Sequence, residues 1–296
     1  MPAGATRVLV TGASGLLGGR LASLLARDHT VVAAVHRAPA PDGLATVPFD
    51  LASPETVATA FEAARPEAVV HAAALADADA CERDPERALV LNVRGTALLA
   101  EACARRGARL VLLSTDLVFD GSRGGLQEDV PARPLLSYGR TKLEAEEEAL
   151  RRCPGSTVVR VALVCGRGHG PRATASEAVV WALARGQRPR LFTDQYRTPV
   201  DPEAVAAPLG ALLRGRGEGR YHLGGPERVS RYELGARAAS SFGLDPAGIE
   251  AVSQASYSGA PRPADVALDS GRARRELGFA PRPLDEVIRS GRPAPL

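Results

Sequence analysis

Arg7-Val8-Leu9-Val10-Thr11-Gly12-Ala13-Ser14-Gly15-Leu16-Leu17-Gly18 is the stretch whose reading decides the fold. Its first five residues, RVLVT, form a short, continuous apolar run and predict a buried strand. A glycine-rich turn follows, and apolar residues at helical spacing then predict a helix from about Gly15 to Asp28. Glycines in such a turn allow a tight bend and let backbone N–H groups approach a pyrophosphate at the helix N-terminus. The spacing is G-x-x-G-x-x-G rather than G-x-G-x-x-G, and a glycine turn alone is a weak sign. Placed between strand and helix, it predicts a dinucleotide site with Gly12, Ser14, Gly15, Leu16, Leu17 and Gly18 against the cofactor.

Outward from this unit the first half alternates short apolar runs with helical patterns, as βαβ units do. Strands are predicted at Thr30–Val35, Thr46–Phe49, Ala68–His71, Arg109–Leu113 and Thr157–Val164. Helices are predicted from Pro54 (capped by Ser53) to Ala63, from Pro85 to Arg105, and from Ser137 to Arg152. Right-handed crossovers place the strands in one α/β, Rossmann-type doubly wound parallel sheet. Beyond about Gly166, glycine, proline and arginine become frequent and the helical segments shorten (Ala173–Arg185, Pro202–Leu213, Arg231–Phe242). The expected organisation is a cofactor-binding domain over 1–165 and a smaller substrate lobe over 166–296, interleaved with the last sheet strands.

Composition narrows the function classes. The 296 residues are 45% hydrophobic and 24% charged, as in an ordinary globular protein. The net charge of +3 comes from interspersed charges, and aromatics are only 4%; neither a basic stripe nor a reader motif for nucleic acid is present. No apolar run reaches the roughly 18 residues of a membrane span, and Met1 leads almost directly into the first strand, without a signal-peptide pattern. Cys81, Cys103, Cys153 and Cys165 lie far apart with no C-x-x-C pair, so buried thiols in a reducing, cytoplasmic setting are expected rather than disulfides or a metal site. The acidic run Glu144–Glu148 reads as a solvated helix face.

One skew is more informative. Lys142 is the only lysine among 37 basic residues, and Asn92 the only asparagine. A chain that uses arginine everywhere else keeps a lysine where a compact ammonium is required. Tyr138 precedes it by four residues, one helical turn away on the same face, and Ser114-Thr115-Asp116 ends the fifth strand. A free tyrosine has a pKa of about 10, and a neighbouring ammonium would lower it. The sequence therefore predicts a proton-transferring Tyr138 tuned by Lys142. At the end of the second strand stand His36 and Arg37, with no acid to bind ribose hydroxyls; an arginine there accommodates a 2′-phosphate, so NADP(H) is preferred and NAD(H) is the alternative. Asp50 and Leu51 follow the third strand, positioned toward an adenine ring. His71 reads as a packed residue, and Ala72, Ala73 and Ala74 let the backbone lie against the cofactor.

These motifs together resemble the extended short-chain dehydrogenase/reductases, and within them the dTDP-4-dehydrorhamnose reductase family. The resemblance runs along the chain: TGASGLLG, HAAALADADACERDPERALVLNVRGT from His71, LLSTDLVFDG from Leu112, SYGRTKLEAEE from Ser137, DQYRTPVDPEAVA from Asp194 and RPADVALDSGRARRELGF from Arg262. It implies that Thr115 hydrogen-bonds a reacting carbonyl, that Tyr138 protonates it, and that Lys142 also holds the nicotinamide ribose. It further implies that Asn92 supports the active-site backbone along the cofactor, that Asp77 and Asp79 line the substrate side, and that Arg197 faces a nucleotide diphosphate. The implied partner is a nucleotide-sugar substrate, with no nucleic acid and no membrane, and a homodimer is compatible with it. Two departures touch the sugar pocket. Ala162-Leu163-Val164 stands where the reductases carry an aromatic, and Arg197 stands inside their glycine-containing DQY segment. The alternatives are an NAD-retaining epimerase or dehydratase, for which Leu117 replaces the acid that elimination needs, and a non-catalytic NADP-binding regulatory subunit.

Overall fold

The computed structural model describes residues 5–256, 259 and 261–294; the reading of Met1 as leading into the first strand falls outside this range. Strands β1 (Arg7–Thr11), β2 (Thr30–Val35) and β3 (Ala45–Pro48) alternate with helices α1 (Leu16–Leu25) and α2 (Pro54–Ala64). Then come β4 (Ala68–His71), α3 (Ala78–Arg83), α4 (Pro85–Ala88), a π-helical turn (Leu89–Arg94), α5 (Gly95–Arg106), β5 (Arg109–Thr115), α6 (Ser137–Arg152) and β6 (Thr157–Val161). The remainder carries α7 (Ala175–Ala184), β7 (Arg190–Phe192), β8 (Tyr196–Arg197), α8 (Pro202–Leu213), β9 (Gly219–Leu223) and β10 (Val229–Ser230). It ends with α9 (Arg231–Ser241), β11 (Glu250–Val252), α10 (Gly271–Leu277) and α11 (Leu284–Arg289).

Seven strands form one parallel sheet in the order β3-β2-β1-β4-β5-β6-β9. The parallel doubly wound sheet expected from the sequence is therefore present. Alternate side chains go to opposite faces, as strand geometry requires. Val8, Val10, Val111 and Val159 enter a core against α1 and α8, whereas Leu9, Leu110, Leu112 and Val158 enter another against α2, α5 and α6. Strand order reverses between β1 and β4, and ligands of such sheets bind beyond the carboxyl ends at that point. The glycine turn after β1, Ala72–Ala74 after β4 and Ser114–Thr115 ending β5 all lie there.

Three boundaries differ from the sequence reading. The predicted helix Pro85–Arg105 is interrupted by the π-helical turn, which a regular apolar pattern does not signal; such turns recur at functional sites. The sixth strand stops at Val161 because the chain then leaves the sheet to pair with the segment before α8, where Val200 N–H donates to Leu163 O and Cys165 N–H to Val200 O. Helix α3, absent from the sequence reading, is started by Asp77, whose carboxylate accepts the Ala80 N–H. After β6 the chain builds a helical group (α7, α9, α11) around Val180, Leu234 and Ile288, and returns to the sheet as β9. The pairing of β8 with β10 brings Arg197 back over the end of β5.

Candidate active site

The glycine turn lies directly on the end of β4. At Gly12 φ is +68°, and a Cβ there would sit 2.7 Å from Ala73 N. At Gly18 a Cβ would meet Gly12 O at 2.3 Å. Helix α1 starts with no side-chain cap and no acid in its first turn, so its leading N–H groups and dipole face the turn uncompensated, as an anion requires. These residues fit a dinucleotide pyrophosphate. His36 and Arg37 are exposed at the end of β2. His36 Nε2 lies 3.5 Å from Asp50 Oδ2, and Asp50 also accepts the Ala52 N–H; no hydrogen bond or ion pair holds the Arg37 guanidinium among the described residues. Leu51 departs from expectation. Its side chain is buried in the core over Gly95, not turned outward to an adenine.

Behind this groove runs a buried polar chain from β1 to α6. Thr96 Oγ1 donates to Asn92 O (2.6 Å) and so accepts from His71 Nε2–H (3.0 Å). His71 Nδ1 then accepts from Thr11 Oγ1 (2.7 Å), which itself accepts the Ala73 N–H. Burial, with the Lys142 charge as a smaller contributor, lowers the His71 pKa to about 3, so the ring is neutral. Asn92 uses its amide inward. Its Oδ1 accepts Leu75 N–H at 2.7 Å, and its Nδ2 donates to Leu75 O and to Thr141 Oγ1. Thr141 in turn donates to Tyr138 O. Asn92, 1% exposed, therefore ties the loop after β4 to α6 and offers no side-chain atom to the groove.

Helix α6 presents Tyr138 and Lys142 to the end of β5. Its first turn is anchored from α3, where Glu82 accepts the Ser137 N–H (2.5 Å) and hydroxyl (2.9 Å). The Thr115 hydroxyl, which donates to Asp116 Oδ1 (3.2 Å) and accepts the Leu117 N–H (3.2 Å), lies beside the Tyr138 hydroxyl. Lys142, 3% exposed, donates from Nζ to Leu113 O at 2.7 Å. Here the expected acidification of Tyr138 by Lys142 is corrected. Desolvation pushes the phenol above its ordinary value, the Asp116 carboxylate pushes the same way, and Arg197 and the Thr115 hydroxyl only oppose them. Lys142 is lowered to about 8 by its burial, with Glu146 raising it. At neutral pH the phenol holds its proton and the amine remains mostly charged.

Beside this pair opens a cleft of about 270 Å³ whose walls include Leu117, Leu136 and four arginines. Arg197 is buried and pairs in bidentate fashion with the fully buried Asp116, Nε to Oδ2 being 2.6 Å. Arg262 pairs with Asp79, and Arg190 with Glu250. The fourth, Arg231, has no hydrogen-bond or ion-pair partner for its guanidinium among the described residues; burial lowers its pKa to about 10, and the nearby Arg197 adds to this. Asp77 and Asp79 are thus occupied, one as a helix cap and the other beside Arg262. Sequence reasoning missed Arg231, although Ser230 and Glu233 spell the capping box that puts it at the mouth of α9. It also misread Glu146, which is fully buried rather than solvated. No cluster of three or more metal-binding side chains occurs among the described residues.

The model of the RmlD substrate binding domain family matches residues 6–290. The chain belongs to this family. It is 32% identical to the dTDP-4-dehydrorhamnose reductase of Mycobacterium tuberculosis over 282 residues, covering 93% of this chain and 87% of that one. It is 31% identical over 278 residues to the methionine adenosyltransferase 2 subunit beta of Danio rerio, covering 90% and 83%. Among solved structures, a hypothetical dTDP-4-dehydrorhamnose reductase from Sulfolobus tokodaii superposes with a TM-score of 0.83 at 30% identity, covering 94% of this chain and 98% of that one. Membership makes the chain an extended short-chain dehydrogenase/reductase, an NAD(P)-dependent oxidoreductase.

If Asn92 joins the loop to α6, Asn92→Ala orphans the Leu75 backbone groups and costs about 1–3 kcal/mol. Urea unfolding should show that loss together with weakened NADPH binding; a variant as stable as the parent contradicts the assignment.

Proposed function

We propose that the chain reduces a ketone with NADPH, and that the ketone is a 4-keto-deoxysugar joined to a nucleoside diphosphate. The observation that carries this reading is a proton-bearing Tyr138, next to Thr115 at the carboxyl end of β5, beside a cleft walled by arginines. The glycine turn and the uncapped start of α1 would hold the pyrophosphate, and Arg37, with no acid beside it in sequence, suits a 2′-phosphate. Bound NADPH supplies the hydride that adds to the ketone carbon. Thr115 and Tyr138 orient the carbonyl by hydrogen bonds and stabilise the charge growing on its oxygen. Tyr138 then gives its phenolic proton to that oxygen, completing the alcohol. Lys142, held on Leu113 O, would bond the ribose hydroxyls and meet the resulting phenolate with positive charge.

A raised phenol pKa suits this direction. A reductase needs the tyrosine as an acid, and an alkoxide is basic enough to take a proton even from a weak one. Arg231, whose guanidinium makes no hydrogen bond or ion pair among the described residues, is the residue best placed to receive a diphosphate oxygen. The apolar Leu117 in the cleft wall provides no acid or base for elimination, which disfavours the dehydratase reading. A regulatory-subunit reading is favoured by the identity with the zebrafish protein. The four buried free thiols suit a reducing cytoplasm.

With a panel of keto-sugar nucleotides, Tyr138→Phe should keep NADPH affinity yet lower turnover by about 10²–10⁴-fold. Undiminished turnover overturns the role of Tyr138, and NADPH binding without any turnover by the parent chain selects the regulatory reading. Arg231→Gln should raise KM for the nucleotide sugar about 10-fold or more, the worth of a charged hydrogen bond, with kcat little changed. An unaltered KM removes Arg231 from the site.

A further inference from the structure

Tyr138, Lys142 and Glu146 occur at intervals of four along α6, so they form one stripe that faces the end of β5. Each strand residue there is met by one of them. Leu113 O takes the Lys142 ammonium at 2.7 Å, Ser114 Oγ donates to Glu146 Oε1 at 2.5 Å, and the Thr115 hydroxyl lies beside that of Tyr138. Glu146 is fully buried although Glu144 and Glu147 beside it are exposed. Arg160 of β6 grips both its oxygens (Nη2 to Oε2 2.7 Å), and Arg220 of β9 reaches Oε2 at 3.2 Å. A carboxylate taken fully out of water persists only when paired and hydrogen-bonded in this way.

We propose that Glu146 is a positioning residue for the reduction, its carboxylate clamping Ser114 beside Thr115 and presenting a negative charge to Lys142 one helical turn away. The inference rests on the reductase reading for its consequence, though not for its test. The groups facing Lys142 are the Leu113 carbonyl from β5, the neutral His71 from β4, and Tyr138 and Glu146 from its own helix. Those facing Glu146 are Ser114, Arg160, Arg220 and the neighbouring His222, itself lowered to about 4 by burial. Glu146 is thus the one acid among the described residues that sustains the buried ammonium. The direction follows. Without it the charged form of Lys142 is disfavoured, and the amine loses its proton at lower pH.

The chain's single lysine makes this directly readable. Protein labelled with ¹³C at lysine Cε gives one side-chain signal, whose titration should have a midpoint near 8. In Glu146→Gln the midpoint should fall by about one unit or more, a tenfold loss of ammonium on the alkaline side, and NADPH binding should weaken at correspondingly lower pH. Since that change strands Arg160, the double variant Glu146→Gln/Arg160→Met removes the pair together and should still show the acid shift. A folded variant with an unmoved lysine midpoint overturns the proposal, because a purely structural Glu146 would leave it unchanged. A shifted lysine in a chain whose parent reduces no keto-sugar nucleotide upholds Glu146 and instead overturns the reductase reading.

Discussion

The docking of one face of α6 on the last three residues of β5 is the constraint from which the rest of the site follows. A helix offers a row of side chains every four residues, and a strand end offers carbonyls and hydroxyls at fixed spacing. Matching the two places a phenol, an amine and a carboxylate against Thr115, Leu113 O and Ser114. Other elements hold this match from outside. Glu82 caps the start of α6, Asn92 ties it through Thr141 to the loop after β4, and Arg160 secures its third turn from β6. The glycine turn and the Tyr138–Lys142 pair are therefore parts of one rigid edge of the sheet.

Two compensated clusters of buried charge flank the Tyr138 site. Glu146 sits among Arg160 and Arg220, and Asp116 is matched by Arg197. Pairs of this kind contribute little net stability, but losing one member leaves an uncompensated charge and is costly. They fix geometry and set proton affinity. Asp116 helps keep the proton on Tyr138, and Glu146 helps keep the charge on Lys142. Arg231, by contrast, makes no hydrogen bond or ion pair with its guanidinium among the described residues, although the Asp116 charge acts on it.

Much of this was legible in the sequence, for physical reasons. The glycine turn is local, its function being written in residues that lack a Cβ, and strand periodicity gave the sheet. A lone lysine four residues after a tyrosine singled out α6. The tuning of those groups was not legible, because it depends on burial and on partners far along the chain: Arg197 is 81 residues from Asp116, and Glu82 is 55 from Ser137. An adjacent ammonium was expected to acidify the phenol, yet the ammonium turns to a carbonyl and desolvation wins. Glu146 was hidden by its neighbours, since Glu144 and Glu147 are exposed as an acidic run should be. The π-helical turn at Asn92 leaves no mark on apolar spacing at all.

The central claim is that the fold holds Tyr138 as a protonated acid. It is tested most directly by ultraviolet titration of tyrosinate in the cofactor-free protein, taking the difference between the parent chain and Tyr138→Phe. The account predicts no phenolate from Tyr138 below the ordinary tyrosine value of about 10. A component that ionises near neutrality and disappears in the variant would contradict it.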